Sequence, residues 1–369
     1  MQPSQMFRFA LLVLALSFGI TAAAQWKNPA NRYDDAYKKY LEAACPVSED
    51  GIKHFVYFAR DRGSIRNHPL LSSDRFAGAQ IMYPWRLLEP AKGNYDFSII
   101  EEDYQYLAAH EKKLFIQLQD ATFTVEFKAA PEYLISDEYD GGVIPQTSEK
   151  GKPIGWVAKR WNPQVRERFA KLLQALGERF DGKIEGINLQ ETAIGAEKAN
   201  DPTLTPQTYV TAVEANMLAL SQAFSASTKM IYANFMPGEW LPWEDEGYLK
   251  SIYMYGEEIG VSLGAPDLMV KRKGQLNHAL AMMHENEFTV PLGIAIQDGN
   301  YIGMTGADFD DGPAGGQHKV QTQRKNIVPL LHAFAQDFLK VQYMFWVNQA
   351  PYFEEDVLHC LDPNWASKK

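Results

Sequence analysis

A single-domain α/β fold of the (β/α)8 TIM barrel kind is what the sequence predicts, on three observations. Short apolar runs alternate with longer amphipathic stretches from Gly51 onward, eight of the runs have strand character, and several of them end on a carboxylate. Strict succession of strand and helix favours a parallel sheet covered by helices, and eight strands favour a closed barrel over a doubly wound sheet. With 369 residues, 46% hydrophobic and 22% charged, the chain has the composition of a globular protein with a sizeable core.

In chain order, residues 1–24 are expected to be a secretory signal peptide. Arg8 is the only charged side chain there, an apolar run covers 9–20, and Ala22-Ala23-Ala24 places small residues before Gln25. The run is short for a membrane span, and no cysteine stands at the cleavage point to take a lipid. The barrel domain is then 25–369, periplasmic or secreted, with an uncleaved anchor as the alternative. Export allows the two cysteines, Cys45 and Cys360, to pair, which would tie the start of the barrel to its end; two buried free thiols are the other reading.

Strands are read at 54–59, 77–83, 114–119, 184–189, 230–234, 260–263, 290–296 and 342–347. Between them, apolar residues recur at helical spacing over 99–110, 165–176, 209–224, 276–284 and 327–339. Val165, Phe169, Leu172, Leu173 and Leu176 form the clearest stripe, ending at Gly177. Two long insertions, 122–162 after the third strand and 299–317 after the seventh, would lie on the face of a barrel where long loops carry function. Neither an internal repeat nor a Pro/Ser-rich linker divides the chain.

Inside a strand buried on both faces a carboxylate is costly, whereas at the strand end water and polar groups are within reach. Asp120 follows the third strand, Glu191 the fourth, Asp267 the sixth and Asp298 the seventh, with Glu354 and Glu355 after the eighth. Glu191, flanked by Leu189 and Ala193, is the expected proton donor, desolvated and therefore raised in pKa. Asp298, beside Gly299 and Asn300, is expected to stay ionised as nucleophile or base, and Asp267, aimed by Gly264-Ala265-Pro266, competes for that role. Helix capping or a rim ion pair is the structural alternative for each.

Aromatic residues accompany the acids, and the mixture suits a carbohydrate, whose ring faces stack on aromatics while amides and acids bind its hydroxyls. The expected substrate-binding set is Tyr83, Trp85, Asp120, Gln190, Asn234, Trp240, Tyr301 and Trp346, with Phe123, Trp243 and Tyr352 nearby. The alternative for each ring is packing between helix and barrel. A net charge of −10 lacks the basic face needed for nonspecific binding to nucleic acid or to an anionic membrane, which leaves a carbohydrate as the expected partner.

No metal or other cofactor is expected. Among eight histidines, His278 and His284 are six residues apart on one predicted helix and face different ways, and His54 and His68 have no companion cysteine. The stretch Asp308-Phe309-Asp310-Asp311-Gly312 lacks calcium-loop spacing and reads as a solvated acidic loop.

One block of sequence carries a family resemblance. Gln80-Ile81-Met82-Tyr83-Pro84-Trp85-Arg86-Leu87-Leu88-Glu89-Pro90, continuing to Gly93-Asn94-Tyr95-Asp96-Phe97, resembles the second-strand segment of (β/α)8 glycoside hydrolases of the large retaining clan. Glu191 looks like that clan's acid/base glutamate, and Trp346 resembles its tryptophan in the sugar-binding floor. The resemblance implies a glycosidase fold and, beyond it, cleavage of glycosidic bonds in an oligo- or polysaccharide with Glu191 as acid/base. Two departures stand out. Gln190 occupies the place of an asparagine, and the seventh strand ends Ile296-Gln297-Asp298 without the nucleophilic glutamate. An aspartate there retracts the carboxylate by about one C–C bond, which suits the separation of roughly 6.5–9.5 Å used in inversion better than the roughly 5 Å used in retention. The missing glutamate also leaves open a noncatalytic carbohydrate-binding barrel, or another barrel chemistry such as a lyase.

Overall fold

The computed structural model describes residues 31–148, 150–196, 198–240, 244–297, 299–301 and 326–364. Residues 1–24, expected to be a leader, and Trp243, Asp298, most of the second insertion and the acidic stretch at 308–312 lie outside the described residues.

Eleven strands form among the described residues: β1 (Lys53–Tyr57), β2 (Phe76–Pro84), β3 (Lys113–Gln119), β4 (Ala121–Thr122), β5 (Val143–Thr147), β6 (Pro153–Ala158), β7 (Gly186–Leu189), β8 (Thr228–Tyr232), β9 (Ser262–Ala265), β10 (Leu292–Ile296) and β11 (Tyr343–Val347). Eight of them close into a parallel barrel in the order β1-β2-β3-β7-β8-β9-β10-β11, with β11 returning to β1. Every strand read from the sequence is present, displaced by at most a few residues. The two-residue displacement at β9 has a local cause, since Gly260 adopts φ +72° as the left-handed cap of the preceding helix, so the strand begins beyond it.

Rings fill the barrel interior. Phe115 lies 5.7 Å from Phe55, 5.0 Å from Phe345 and 5.7 Å from Tyr343, ring centre to ring centre. Room for them comes from glycine on neighbouring strands. A Cβ on Gly186 would lie 2.7 Å from the Phe115 ring, and one on Gly264 3.0 Å from the Tyr232 ring. Above these rings Gln80 donates to the Asn188 side-chain oxygen at 2.8 Å and to the Tyr232 hydroxyl at 3.0 Å, joining β2, β7 and β8 across the interior.

Helices Ser98–Ala109, Pro163–Phe180 and Pro206–Ala223 coincide with the apolar stripes. Helix Tyr248–Ile259 has no counterpart in the sequence reading, and the stripe at 276–284 divides into Lys273–Leu276 and Ala279–Glu285. The division has a tertiary cause. Asn277 accepts from the Tyr33 N–H at 2.8 Å and donates to Asp34 at 2.9 Å, while the His278 ring lies 2.8 Å from Glu239. The last stripe forms helix Ile327–Ala333 followed by a π-turn, Phe334–Phe338. The 122–162 insertion is not a bare loop, since β4, β6 and β5 make an antiparallel sheet in that order.

The block at 80–97 is a buried structural knot. The Trp85 indole donates to Glu89 at 2.8 Å, the Gly93 N–H donates to the same carboxylate at 2.8 Å, and Arg168 of helix Pro163–Phe180 pairs with it from the other side. Burying this glutamate is tolerable because each oxygen has a donor.

Cys45 and Cys360 are bonded, with Cα atoms 4.8 Å apart, so of the two readings left open by the sequence the paired one holds. The bridge joins the segment before β1 to the closing helix Leu358–Leu361, beside a hydrogen bond from the Val47 N–H to the Cys360 carbonyl. No helix among the described residues is long and apolar enough to cross a membrane. Because the bridge restrains nearly the whole unfolded chain, Cys45→Ser/Cys360→Ser should lose ~2–4 kcal/mol of stability, read by denaturant titration against the oxidised parent.

Candidate active site

All eight barrel strands run the same way, so the residues just past their carboxyl ends share one rim. Glu191 follows β7 by two residues, Asn234 follows β8 by two and Asp267 follows β9 by two. These three, with Arg272, line one cleft of about 630 Å³.

The backbone beneath Glu191 is held from behind. The Gln190 side-chain oxygen accepts the N–H groups of Asp120 and Ala121 at 2.9 and 2.8 Å, which prolongs the β3–β7 contact past the last strand pair. Arg160, two residues beyond β6, forms a fork with Asp120, both N···O distances being 2.7 Å. The same guanidinium donates to the Glu191 carbonyl at 2.9 Å and to the Tyr209 hydroxyl at 2.7 Å, and Tyr209 donates in turn to the Thr192 carbonyl at 2.7 Å.

The side chain is oriented by Asn234. The Asn234 oxygen accepts from the N–H groups of Ala193 and Phe235 at 3.2 and 2.8 Å, so its amide nitrogen faces Glu191, where it donates to Oε2 at 2.7 Å. Asp267 is held in the same manner. Asn300 accepts from the Gln297 N–H at 2.8 Å and donates to Asp267 Oδ1 at 3.0 Å, and the Asp267 carbonyl accepts from Gln275.

One wall comes from the insertion. The Thr147 N–H donates to the Gly195 carbonyl at 2.6 Å, and the Gly195 N–H donates to the Gln146 side chain at 2.7 Å. A Cβ at Gly195 would lie 2.8 Å from the Thr147 carbonyl oxygen, so only glycine permits this docking. Phe123 of the insertion and Trp240 present rings at 54% and 38% exposure to the cleft they line. Trp240 stacks on Phe235 with centroids 5.7 Å apart, and the Arg272 guanidinium lies 5.6 Å from the Phe235 ring centre.

Burial, and then the charge of Asp267, push the Glu191 carboxyl up to about 7 against the opposing pull of Asn234, Arg160 and Arg272. Burial also raises Asp267 above the ordinary aspartate range, with Asn300 and Arg272 acting against it. The site thus holds one carboxyl raised toward neutrality beside a second that burial also raises.

Of the residues expected from sequence, the structure brings Glu191, Asp267, Asn234 and Trp240 to the cleft. Asp298 lies outside the described residues. The other expected substrate-binding residues are engaged in contacts within the protein and do not line this cleft. Both Asp120 oxygens are taken by Arg160, and the Gln190 oxygen holds the β3 terminus. Tyr83 is buried with its hydroxyl on Asp103 at 2.8 Å, Trp85 is buried against Phe169 and Glu89, and Trp346 donates to His54 at 3.0 Å. Tyr301 stacks on Tyr352 and donates to the Val347 carbonyl at 3.2 Å. Glu354 and Glu355 are exposed on the π-turn Phe353–Val357. Sequence reading missed the positioning roles of Arg160, Tyr209 and Asn300 and the place of Arg272 in the cleft, for all of which the spacing along the chain carries no signal.

A His/Asp cluster lies at the opposite, amino-terminal end of the barrel, also unseen in the sequence. His332 Nε2 is 2.6 Å and His54 Nε2 3.6 Å from the Asp50 carboxylate, and Arg75 lies 3.7 Å from it. Burial alone would raise Asp50, yet His332, His54 and the Ile52 N–H hold it well below its ordinary value. The Trp346 indole donates to His54 Nδ1, so the neutral ring carries its proton on Nε2. That leaves no lone pair there for a cation, and with Arg75 alongside, the donor set fits an ion-pair cluster rather than a metal site.

No family model and no curated protein matches the chain. Solved structures do. The catalytic domain of beta-amylase from Paenibacillus polymyxa superposes with a TM-score of 0.53 at 10% identity, covering 82% of this chain and 93% of that one. A GH5_18 variant from Bifidobacterium longum subsp. longum, in complex with Manb1-4GlcNAc, superposes with a TM-score of 0.52 at 11% identity, covering 86% and 77%. The chain is similar to both in its barrel fold.

Two measurements test the site's construction. Arg160→Met leaves the Asp120 carboxylate buried without its partner and should cost ~3–5 kcal/mol in denaturant titration, much of it recovered in Asp120→Leu/Arg160→Met. Glu191→Gln should change stability with a defined pH dependence. Because the folded-state pKa of Glu191 is raised to about 7 from 4.5, its contribution is complete below pH 4.5 and is lost as pH rises through 7. The variant should therefore gain on the parent steadily across that window in thermal melts.

Proposed function

We propose that the protein is an exported glycoside hydrolase acting on an oligo- or polysaccharide, with Glu191 as proton donor and Asp267 as the second carboxylate. The observation that carries this reading is the pair itself. Two carboxyls, one past β7 and one past β9 with β8 between them, line one cleft, and one of them is raised to about 7 by burial and by the other's charge. Exposed aromatic rings beside them supply stacking surface for a sugar.

In the proposed reaction the C–O bond between the anomeric carbon and the leaving oxygen breaks as Glu191 transfers its proton to that oxygen. The second carboxylate either attacks the anomeric carbon, and water later displaces it, or takes a proton from a water that attacks directly. In both versions the sum is one water added across the bond. Asn234 holds Glu191 toward the leaving oxygen, and Arg272 favours the ionised form of Asp267. Asp298, two residues after Ile296 in the sequence, is the rival for the second role on sequence grounds.

A glycan panel read by release of reducing ends tests the proposal. Glu191→Gln should lower turnover by ~10²–10⁴ on any glycan the parent cleaves while leaving binding in place, and unchanged turnover would sink the assignment. Asp267→Asn and Asp298→Asn compared side by side identify the second carboxylate, since only the true partner should approach the Glu191→Gln loss. The parent's rate should fall as pH rises through about 7, because Glu191 then loses the proton it must donate. A rate flat from pH 6 to 9 would contradict its role as the acid.

A further inference from the structure

We infer that the cleft continues past Trp240 into a second compartment that binds further sugar units, so that the preferred ligand is a saccharide chain rather than a single ring or a disaccharide. The inference rests on the carbohydrate reading above. A second cavity of about 600 Å³ adjoins the first and shares Ala196, Trp240 and Glu244 with it. Trp240 therefore stands at the junction, with its ring partly exposed and stacked on Phe235.

The chemistry of the second lining matches that of the first without its carboxyl pair. Leu204, Pro237 and Trp240 provide apolar surface, and Lys198, Gln207 and Glu244 provide charged and amide groups able to bind hydroxyls. Each cavity alone falls within the range of ~300–1,000 Å³ typical of a small-ligand pocket, so the two together exceed what one or two rings would fill.

Local contacts hold part of the compartment's lining in place, which favours preorganisation. Its floor is the start of helix Pro206–Ala223, where Thr205 and Thr208 cap each other reciprocally. Gln207 donates to the Tyr248 hydroxyl at 2.8 Å, tying this helix to helix Tyr248–Ile259. Gly238, at φ +82°, turns the chain against Pro206 so closely that a Cβ would lie 2.7 Å from the proline ring.

The experiment uses the full chain carrying Glu191→Gln, so that ligands are bound without being consumed. Calorimetric titration with cello-, xylo-, manno- and malto-oligosaccharides, from disaccharide to hexasaccharide, should show affinity rising at least about tenfold with length in any series that binds. Adding Lys198→Ala/Gln207→Ala, two exposed positions outside the carboxylate cleft, should reduce hexasaccharide affinity to the disaccharide level and leave disaccharide affinity unchanged. Affinity independent of length, or a length profile unaltered by the double substitution, would overturn the second compartment while sparing the carbohydrate reading. Failure of every series to bind, with no reducing ends released from them by the parent, would overturn both.

Discussion

A buried guanidinium sets the terms for the rest of the site. Arg160 cannot give up its charge, so every donor that leaves water must find an acceptor inside. It finds them on Asp120, on the Glu191 carbonyl and on Tyr209. Those partners belong to the end of β3, the end of β7 and helix Pro206–Ala223, and Arg160 itself leaves the insertion sheet just after β6. One side chain thereby locks four separate pieces of chain into one arrangement. Misplacing any of them would expose an unpaired charge in a low-dielectric interior, and this makes the arrangement specific as well as stable.

On that support the cleft opposes two electrostatic tendencies. Burial favours the protonated forms of Glu191 and Asp267, and the charge of Asp267 adds to it at Glu191, whereas Asn234, Asn300 and Arg272 favour the ionised ones. Neither carboxyl is neutralised by a salt bridge among the described residues. Holding two acids near each other without a direct counterion costs folding stability, and such an arrangement is the kind from which the proposed acid–base chemistry would be obtained. The network around Arg160 and the ring-filled barrel below offset that cost at a distance from the site.

Sequence legibility followed burial pattern. A β-strand with both faces covered must be apolar along its length, so the eight strands stood out, and an acid directly after such a strand had to lie on the rim. Glu191 and Asp267 were found in this way. Aromatic residues obey no such rule. Trp85 and Trp240 each follow a barrel strand, yet the first is sealed behind Glu89 and Phe169 while the second faces the cleft. The difference arises from helix Pro163–Phe180, which covers one and not the other, and nothing adjacent to either tryptophan encodes it. In the 80–97 block, likewise, Trp85 and Glu89 are engaged with each other and with Arg168 of that helix.

By itself the sequence determined the barrel, the order of its strands and the rim position of its acids, because apolar periodicity and the cost of burying charge act locally along the chain. Only the tertiary structure decided which acids share a cleft and which are consumed by a partner. Asp120 and Asp267 look alike in the sequence, each an aspartate just past a strand. Asp120 meets Arg160 across 40 residues and becomes part of the scaffold, while Asp267 meets Asn300 across 33 and keeps its place in the cleft. A carboxylate's role is set by the charge that closes on it in space, and that contact exists only once the barrel has folded.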